Sequence, residues 1–456
     1  MTADPADRLI RAVARLILAV FFREVEVVGA ERLPRDRPLV LVANHVNGLI
    51  DPLLLMGPLP VTPRFLGKST LWKIAVLRPF LDLAGAIPVY RLQDEGVDPT
   101  DPNRNAGSFA RAHDLLAKGG ALALFPEGTS HSDPSLKPLR TGAARIVLEA
   151  ERKAPGLGVR IVPIGLLFDA KEAFRSRALV QVGEPIDPTP DIELDGRDPV
   201  EAFRDLTARI DQGLQDVTLN YATWEDARLA RRAADLYRRR DPEVPGRGKL
   251  SESVAVRRDF LEGYRDLRDR HPERLAAVVE AVRDYDRLLH AFRLRDDQVG
   301  AAYPLSPVAR FVARTLLRML IHLPVAIVGT VLTWPVYRLV GAIVKRATRD
   351  ADQIATAKVL AAVLLFPLTW IAEGLLLGHY LTPWIGALLA LTAPFTAYGA
   401  LLFNDQRSTF LKESRAYLLL RTRRRLAAEL KEKRENVLHQ VEDLAKLSAA
   451  GQHSAS

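Results

Sequence analysis

The chain contains no cysteine among its 456 residues. That absence excludes disulfides, thiolate metal sites and a cysteine nucleophile, and it fits a reducing compartment. An uninterrupted apolar run near the start is also missing. Leu9, Ile10, Val13, Leu16, Ile17, Val20 and Phe21 recur at helical spacing while Arg8, Arg11 and Arg15 take the other side. Residues 1–23 therefore describe an amphipathic basic helix rather than a secretory signal. Such a helix either lies in a membrane interface with its arginines at the lipid phosphates, or packs as an ordinary helix on the domain that follows.

What is present is unevenly distributed. Lys and Arg number 64 against 55 Asp and Glu, a net charge of +9 that favours anionic partners, either nucleic acid or acidic lipid headgroups. Apolar residues are concentrated between 316 and 403, which favours lipid. A chain of this length is expected to form two or more folding units, one globular and one in a bilayer.

Between 24 and 199, short β-branched apolar runs alternate with helical patterns. Glu24 to Val28, Leu39 to Ala43, Ala86 to Tyr90, Ala121 to Phe125 and Arg160 to Gly165 read as strands. Leu71 to Leu83, Arg104 to Ala117 and Thr141 to Glu151 read as helices, with Gly119-Gly120 as a stop. That order predicts an α/β domain, a largely parallel sheet covered by helices, whose functional groups collect on loops at strand ends. Residues 186–199 are rich in Pro and Asp and read as a loop. Residues 200–305, charged and helical in period with few β-branched runs, read as a helical appendage. Its arginine-rich piece from Arg228 to Arg240 is either a solvated helix face or a phosphate contact.

A membrane region is expected over 306–404. Val359 to Gly378 and Pro383 to Phe403 each approach the roughly 20 apolar residues that cross a bilayer, so residues 359–403 read as a transmembrane hairpin. Lys345, Arg346, Arg349 and Lys358 precede it and Arg407, Lys412, Arg415 and Arg421 follow it. The positive-inside rule then puts both flanks in the cytoplasm, with an even number of crossings and a multi-pass topology. Leu316 to Val344 holds Arg318, Pro324, Pro335 and Arg338. It is expected to be a re-entrant or interfacial element kinked at its prolines. Glu373, inside an apolar span, is either functional or locally paired. Residues 405–456 read as a basic helical tail with a disordered end.

Chemistry is carried by four clusters in the α/β domain. Asn44-His45-Val46-Asn47-Gly48-Leu49-Ile50-Asp51-Pro52 directly follows a strand, so a turn can bring the His45 base against the Asp51 carboxylate. Gly85 to Arg91 ends in an arginine suited to bidentate phosphate contact. Phe125-Pro126-Glu127-Gly128-Thr129-Ser130-His131-Ser132-Asp133 offers backbone N–H groups at Gly128 and Thr129. The apolar Ile161 to Gly165 is expected to shape a pocket.

In this order the clusters resemble the glycerolipid acyltransferase superfamily over roughly residues 37–190. That superfamily usually places four residues between His and Asp, whereas five intervene here. The longer spacing, and Phe125 to Asp133 continued by Leu136-Lys137-Pro138-Leu139-Arg140-Thr141-Gly142, are similar to its fungal-type glycerol-3-phosphate and dihydroxyacetone-phosphate acyltransferase branch. The resemblance implies His45 as general base on the acceptor hydroxyl, Asp51 as its orienter, and Arg91, Glu127, Gly128 and Thr129 around the glycerol phosphate. Lys137 and Arg140 are added here as contacts for phosphate or donor. It further implies a membrane-bound enzyme acting on membrane lipid precursors, with acyl-CoA or acyl-carrier protein as co-substrate and no cofactor or metal. Two other readings remain. The acceptor can be 1-acyl-glycerol 3-phosphate, or the chain can be a membrane scaffold retaining an inactive acyltransferase fold. No base-reading module accompanies the positive charge, which argues against nucleic acid.

Overall fold

The computed structural model describes residues 5–75, 77–90, 105–171, 173–189, 198–238, 248–299, 305–347 and 351–453. They form two compact units, one drawn mainly from the chain up to Ala222 and one mainly from Thr223 onward.

The first unit is a seven-stranded sheet. Its strands are β1 (Phe22–Val28), β2 (Leu39–Ala43), β3 (Arg64–Lys68), β4 (Ile87–Val89), β5 (Ala121–Leu124), β6 (Arg160–Phe168) and β7 (Ser176–Val182), in the spatial order β1-β7-β6-β2-β5-β3-β4. Every neighbouring pair is parallel except β6 and β7. The sequence alternation explains the layering. Along β2, Leu39, Leu41 and Ala43 enter one core while Val40 and Val42 enter the other. All five are buried, as a central parallel strand covered on both faces requires.

On the first face pack α1 (Pro5–Phe21) through Ala14, Leu18 and Phe21, and α2 (Ile50–Met56) through Ile50, Leu54 and Leu55. Short α3 (Arg78–Leu83) precedes β4. The other face is covered by α4 (Ala106–Ala117), α5 (Gly142–Lys153) and α6 (Pro199–Val217).

Several expectations change here. The predicted helix over Leu71 to Leu83 is a 3-10 turn at Ser69–Lys73 followed by α3, because Pro79 suits only a helix start. Strands β3 and β7 were not foreseen. The boundary at 199/200 is also wrong, since α6 belongs to the first unit and buries Ala202, Leu206, Ile210, Leu214 and Val217 in its core. Glycine makes that docking possible: a Cβ on Gly165 would stand 1.9 Å from the Val217 carbonyl oxygen. The Ile161 to Gly165 cluster is thus core strand seating α6, not pocket wall.

The second unit is helical. Its members are α7 (Trp224–Arg238), α8 (Leu250–Arg270), α9 (Pro272–Phe292), α10 (Asp296–Val299), α11 (Leu305–Ala347), α12 (Ala351–Tyr380), α13 (Pro383–Thr422) and α14 (Arg424–His453). Leu236, Leu267, Tyr285, Leu289, Leu430 and Val437 share one core. Among the described residues, three helices are long and apolar enough to cross a membrane, over Val308–Val344, Ala357–Tyr380 and Pro383–Thr422. Large apolar side chains such as Val331, Leu375, Leu391 and Phe395 face outward from them. The expected re-entrant or interfacial element is one continuous 43-residue helix, about 64 Å long at 1.5 Å per residue, which replaces the re-entrant form and leaves the interfacial one. Its prolines are tolerated beside close packing: a Cβ on Gly329 would meet the Thr396 carbonyl oxygen at 1.9 Å, and one on Gly399 would meet Val325 at 2.8 Å. Helix α13 continues past the expected boundary at 404, and α14 stays helical to His453 where disorder was expected.

Candidate active site

The site lies at the carboxyl ends of two neighbouring strands, β2 and β5, where open parallel sheets present their functional loops. Asn44 terminates β2. Its buried side-chain amide accepts from Leu166 N at 2.7 Å and donates to Leu166 O at 3.0 Å, extending the β2–β6 ladder by one side chain. The chain then leaves the sheet, turns through Gly48 at φ 46°, and enters α2.

This turn brings His45 and Asp51 together as expected. His45 Nδ1 and Asp51 Oδ2 are 2.9 Å apart. The same carboxylate oxygen accepts the backbone N–H groups of Val46 and Asn47, each at 2.8 Å, so one acceptor organises the whole turn. Asp51 is fully buried, while the His45 side chain is 15% exposed. An acceptor carboxylate fixes the His45 proton on Nδ1 and leaves Nε2 as the basic nitrogen. Among the described residues, Nε2 has no hydrogen-bond partner. The imidazole stacks on Phe125 with ring centroids 4.1 Å apart and planes at 14°, which fixes the plane of the ring.

Glu127 has a bracing role that the sequence did not reveal. It is buried, and both its oxygens are taken by protein donors. One accepts the His45 N–H at 2.8 Å, and the other accepts the Lys137 N–H at 2.8 Å and a contact from His131 Nε2. His131 Nδ1 accepts the Asp133 N–H at 3.1 Å, so its proton sits on Nε2 and points to Glu127. His131 N also donates to His45 O at 3.1 Å. Glu127 therefore ties the His45 loop and the 131–137 loop together.

The remaining predicted residues surround this frame. Gly128 adopts φ 74°, and a Cβ there would meet Arg140 Nε at 2.6 Å, so the glycine allows the Arg140 side chain to lie across the loop. Arg140 N donates to Pro126 O at 2.8 Å. Lys137 Nζ sits 3.3 Å from Asp133 Oδ2, with more than a third of its side chain exposed. Thr129 Oγ1 reaches Ser130 O at 3.3 Å. Arg91 lies outside the described residues. No group of three or more His, Asp or Glu side chains among the described residues is arranged to hold a metal ion.

Four residues that assemble the site carried no assigned role in the sequence: Asn44, Asn47, His131 and Lys171. The first three stand inside the recognised clusters and were legible as neighbours. Lys171 stands alone after β6, and only the antiparallel return of β7 brings it to the catalytic turn, where Nζ donates to Val46 O at 3.1 Å.

Comparison with known proteins agrees with this geometry. Residues 24–167 match the acyltransferase domain family, and residues 230–449 match the glycerol-3-phosphate acyltransferase 2 C-terminal domain. An uncharacterized acyltransferase of Schizosaccharomyces pombe is 25% identical over 94% of this chain and 79% of its own length. Glycerol-3-phosphate O-acyltransferase 2 of Saccharomyces cerevisiae is 27% identical over 86% of this chain and 68% of its own length. A chloroplastic 1-acyl-sn-glycerol-3-phosphate acyltransferase of Brassica napus is 31% identical, but over only 33% of this chain and 39% of its own. The sheet, the His45–Asp51 pair and the matched domain make this chain a membrane-associated acyltransferase enzyme. It joins a match to the acyltransferase domain with a match to the glycerol-3-phosphate acyltransferase 2 C-terminal domain, and the fungal acyltransferases are similar to it over most of its length.

Proposed function

We propose that the enzyme transfers a fatty acyl group from an acyl-CoA or acyl-carrier-protein thioester to the hydroxyl of glycerol 3-phosphate or dihydroxyacetone phosphate, the first acylation of phosphatidic acid synthesis. The observation that carries the reading is the His45–Asp51 pair, with one ring nitrogen committed to a buried carboxylate and the other without a partner among the described residues. His45 Nε2 takes the acceptor hydroxyl proton as that oxygen attacks the thioester carbonyl carbon. Asp51 stabilises the resulting imidazolium. Collapse of the tetrahedral intermediate breaks the C–S bond, and the imidazolium returns the proton to the departing thiolate. Neither an acyl-enzyme nor a cofactor enters this sequence. Lys137, Arg140 and Arg91 supply the cations for the acceptor phosphate, with the Thr129 N–H as a backbone donor, since the Gly128 N–H is already given to Phe125 O at 3.0 Å.

A small phosphorylated acceptor is favoured over a lysolipid because relatives bearing the glycerol-3-phosphate name align over most of the chain, whereas the Brassica lysolipid enzyme aligns over a third. The five-residue His-to-Asp spacing points the same way. For the membrane, α12 and α13 supply a crossing hairpin, and α11 is a long apolar helix that lies in the interface. Helix α1 keeps Leu9, Leu16 and Val20 exposed although its other side is packed, and that stripe fits an interface. With that hairpin as an even pair of crossings, the basic flanks at Arg346, Lys358, Arg407 and Lys412 favour a catalytic domain on the cytoplasmic face.

The test is to supply the purified full chain with labelled acyl-CoA and, separately, glycerol 3-phosphate, dihydroxyacetone phosphate and 1-acyl-glycerol 3-phosphate. Acylation of either small acceptor is expected. Turnover of the lysolipid alone moves the enzyme to the second acylation and overturns the acceptor assignment.

A further inference from the structure

We propose that Lys171 is a positioning residue for the acyl-transfer reaction, whose ammonium locks the His45-to-Asp51 turn and the 130–133 loop into one unit. The inference rests on the reading of His45 and Asp51 given above. Lys171 lies on the connection between β6 and β7, a third segment distant in sequence from both loops. Its Nζ donates to Val46 O at 3.1 Å and to Ser132 Oγ at 2.7 Å, with His131 O at 3.4 Å. Its own carbonyl accepts Asn47 Nδ2 at 3.1 Å, and Asn47 is buried.

The turn needs an external hold for a physical reason. Five residues between His45 and Asp51 leave more backbone freedom than a tighter turn would. The Asp51 carboxylate gathers the N–H groups of Val46 and Asn47 from inside the turn. The Val46 carbonyl and the Asn47 side chain are held from outside, and both holds come from Lys171. Lysine suits this place because one compact cation has three rotatable donors, enough to serve acceptors on two loops at once. The second loop carries His131, which fixes Glu127 and so the His45 main chain. Lys171 therefore braces His45 by two routes, through the turn itself and through the 130–133 loop.

The test uses the full-length protein in detergent with labelled acyl-CoA and the acceptor that the wild type turns over. Lys171→Ala is expected to lower kcat by about 10- to 100-fold, the scale of a small misplacement of a catalytic group, with the acceptor KM within about threefold. Methylammonium in the buffer is expected to restore part of that kcat. Lys171→Ala and Ser132→Ala combined are expected to cost less than the product of the two single losses, because they delete one shared contact. A raised acceptor KM with unchanged kcat makes Lys171 a ligand of the acceptor and overturns the proposal, as does kcat within about twofold of wild type, the scatter of an uncoupled surface site. Hydrogen exchange at the Val46 and Asn47 amides supplies a readout that needs no acceptor. Faster exchange in Lys171→Ala supports the lock, and unchanged exchange overturns it. A wild type inactive on every acceptor contradicts the functional reading instead, and the two failures stay distinguishable.

Discussion

Two fully buried carboxylates, one in each unit, have opposite consequences. In the first unit Asp51 accepts from His45 and from two backbone amides, and its histidine partner opens to the surface through the nitrogen that Asp51 does not use. In the second unit Asp296 accepts the Tyr285 hydroxyl at 2.8 Å and Arg434 Nε at 3.0 Å, and both partners are themselves buried. Arg232 lies over the Tyr285 ring at 5.5 Å and pairs with Asp286. Burial beside Asp296 pushes the Tyr285 hydroxyl far above its ordinary range, so it stays protonated and donates. Burying a carboxylate alone therefore does not make a reactive site. The deciding feature is whether the group it holds keeps an unused polar atom facing outward. Asp51 holds a histidine that keeps one nitrogen unused, and Asp296 pins α9, α10 and α14 together.

The contrast can be broken in several ways. Asp51→Asn is expected to lower kcat by about 10²- to 10⁴-fold while membrane partitioning is unchanged, the range of a lost general base. Activity near wild type removes the distinction. Asp296→Ala strands the Arg434 cation in the second unit and is expected to cost about 3–5 kcal/mol of stability. Denaturation midpoints measure that loss, and kcat per folded molecule is expected to hold. A selective loss of kcat would make the helical unit part of the chemistry.

Glu127→Gln sharpens the comparison inside the first unit. Its amide NH2 must face one of the N–H donors that the carboxylate now accepts, at a cost of about 1–3 kcal/mol for an unsatisfied buried group. The melting point and kcat are expected to fall together with the acceptor KM little changed, whereas a ligand of the acceptor would show the reverse.

The smallest effect concerns His113, buried behind the sheet with Nδ1 2.8 Å from Lys153 Nζ. Burial, then the Lys153 charge, lowers its pKa below the ordinary histidine range. The fold thus prefers the neutral ring, and the unfolded chain binds the extra proton. That contribution is present above the ordinary histidine pKa and is lost as pH falls through the lowered folded value. His113→Gln is expected to flatten the acid side of the melting-point profile, and an unchanged slope assigns the acid sensitivity to other groups.

Much of the first unit was legible because its residues follow a strict rule. Leu39 to Ala43 is a wholly apolar run before a polar cluster, and it forms the strand predicted, with the same ends. The edge strand β3, Arg-Phe-Leu-Gly-Lys, has only two apolar residues in sequence and gives almost no periodic signal. Helix α6 looked like the start of an appendage because its charged face dominates the composition, yet its five buried residues at helical spacing seat it on the sheet. Pro324 and Pro335 suggested breaks in α11, but close packing against α13 through Gly329 and Gly399 keeps it continuous. In the site, His45 and Asp51 were readable because a turn after a strand is a local feature. The bracing contacts of Glu127 were not legible, since what saturates a carboxylate depends on partners 10 and 82 residues away in sequence. Lys171 was invisible for the same reason, 125 residues from the carbonyl it holds.

The central claim is that His45, oriented by a buried carboxylate, removes the acceptor proton during acyl transfer. It is tested most directly by single-turnover transfer from labelled acyl-CoA to glycerol 3-phosphate, comparing wild type with His45→Ala at matched folded concentration. The account predicts a rate at least about 10²-fold lower in the variant, with acyl-CoA binding preserved. A His45→Ala enzyme that transfers acyl groups within about tenfold of wild type, above the loss that a general base requires, would contradict it.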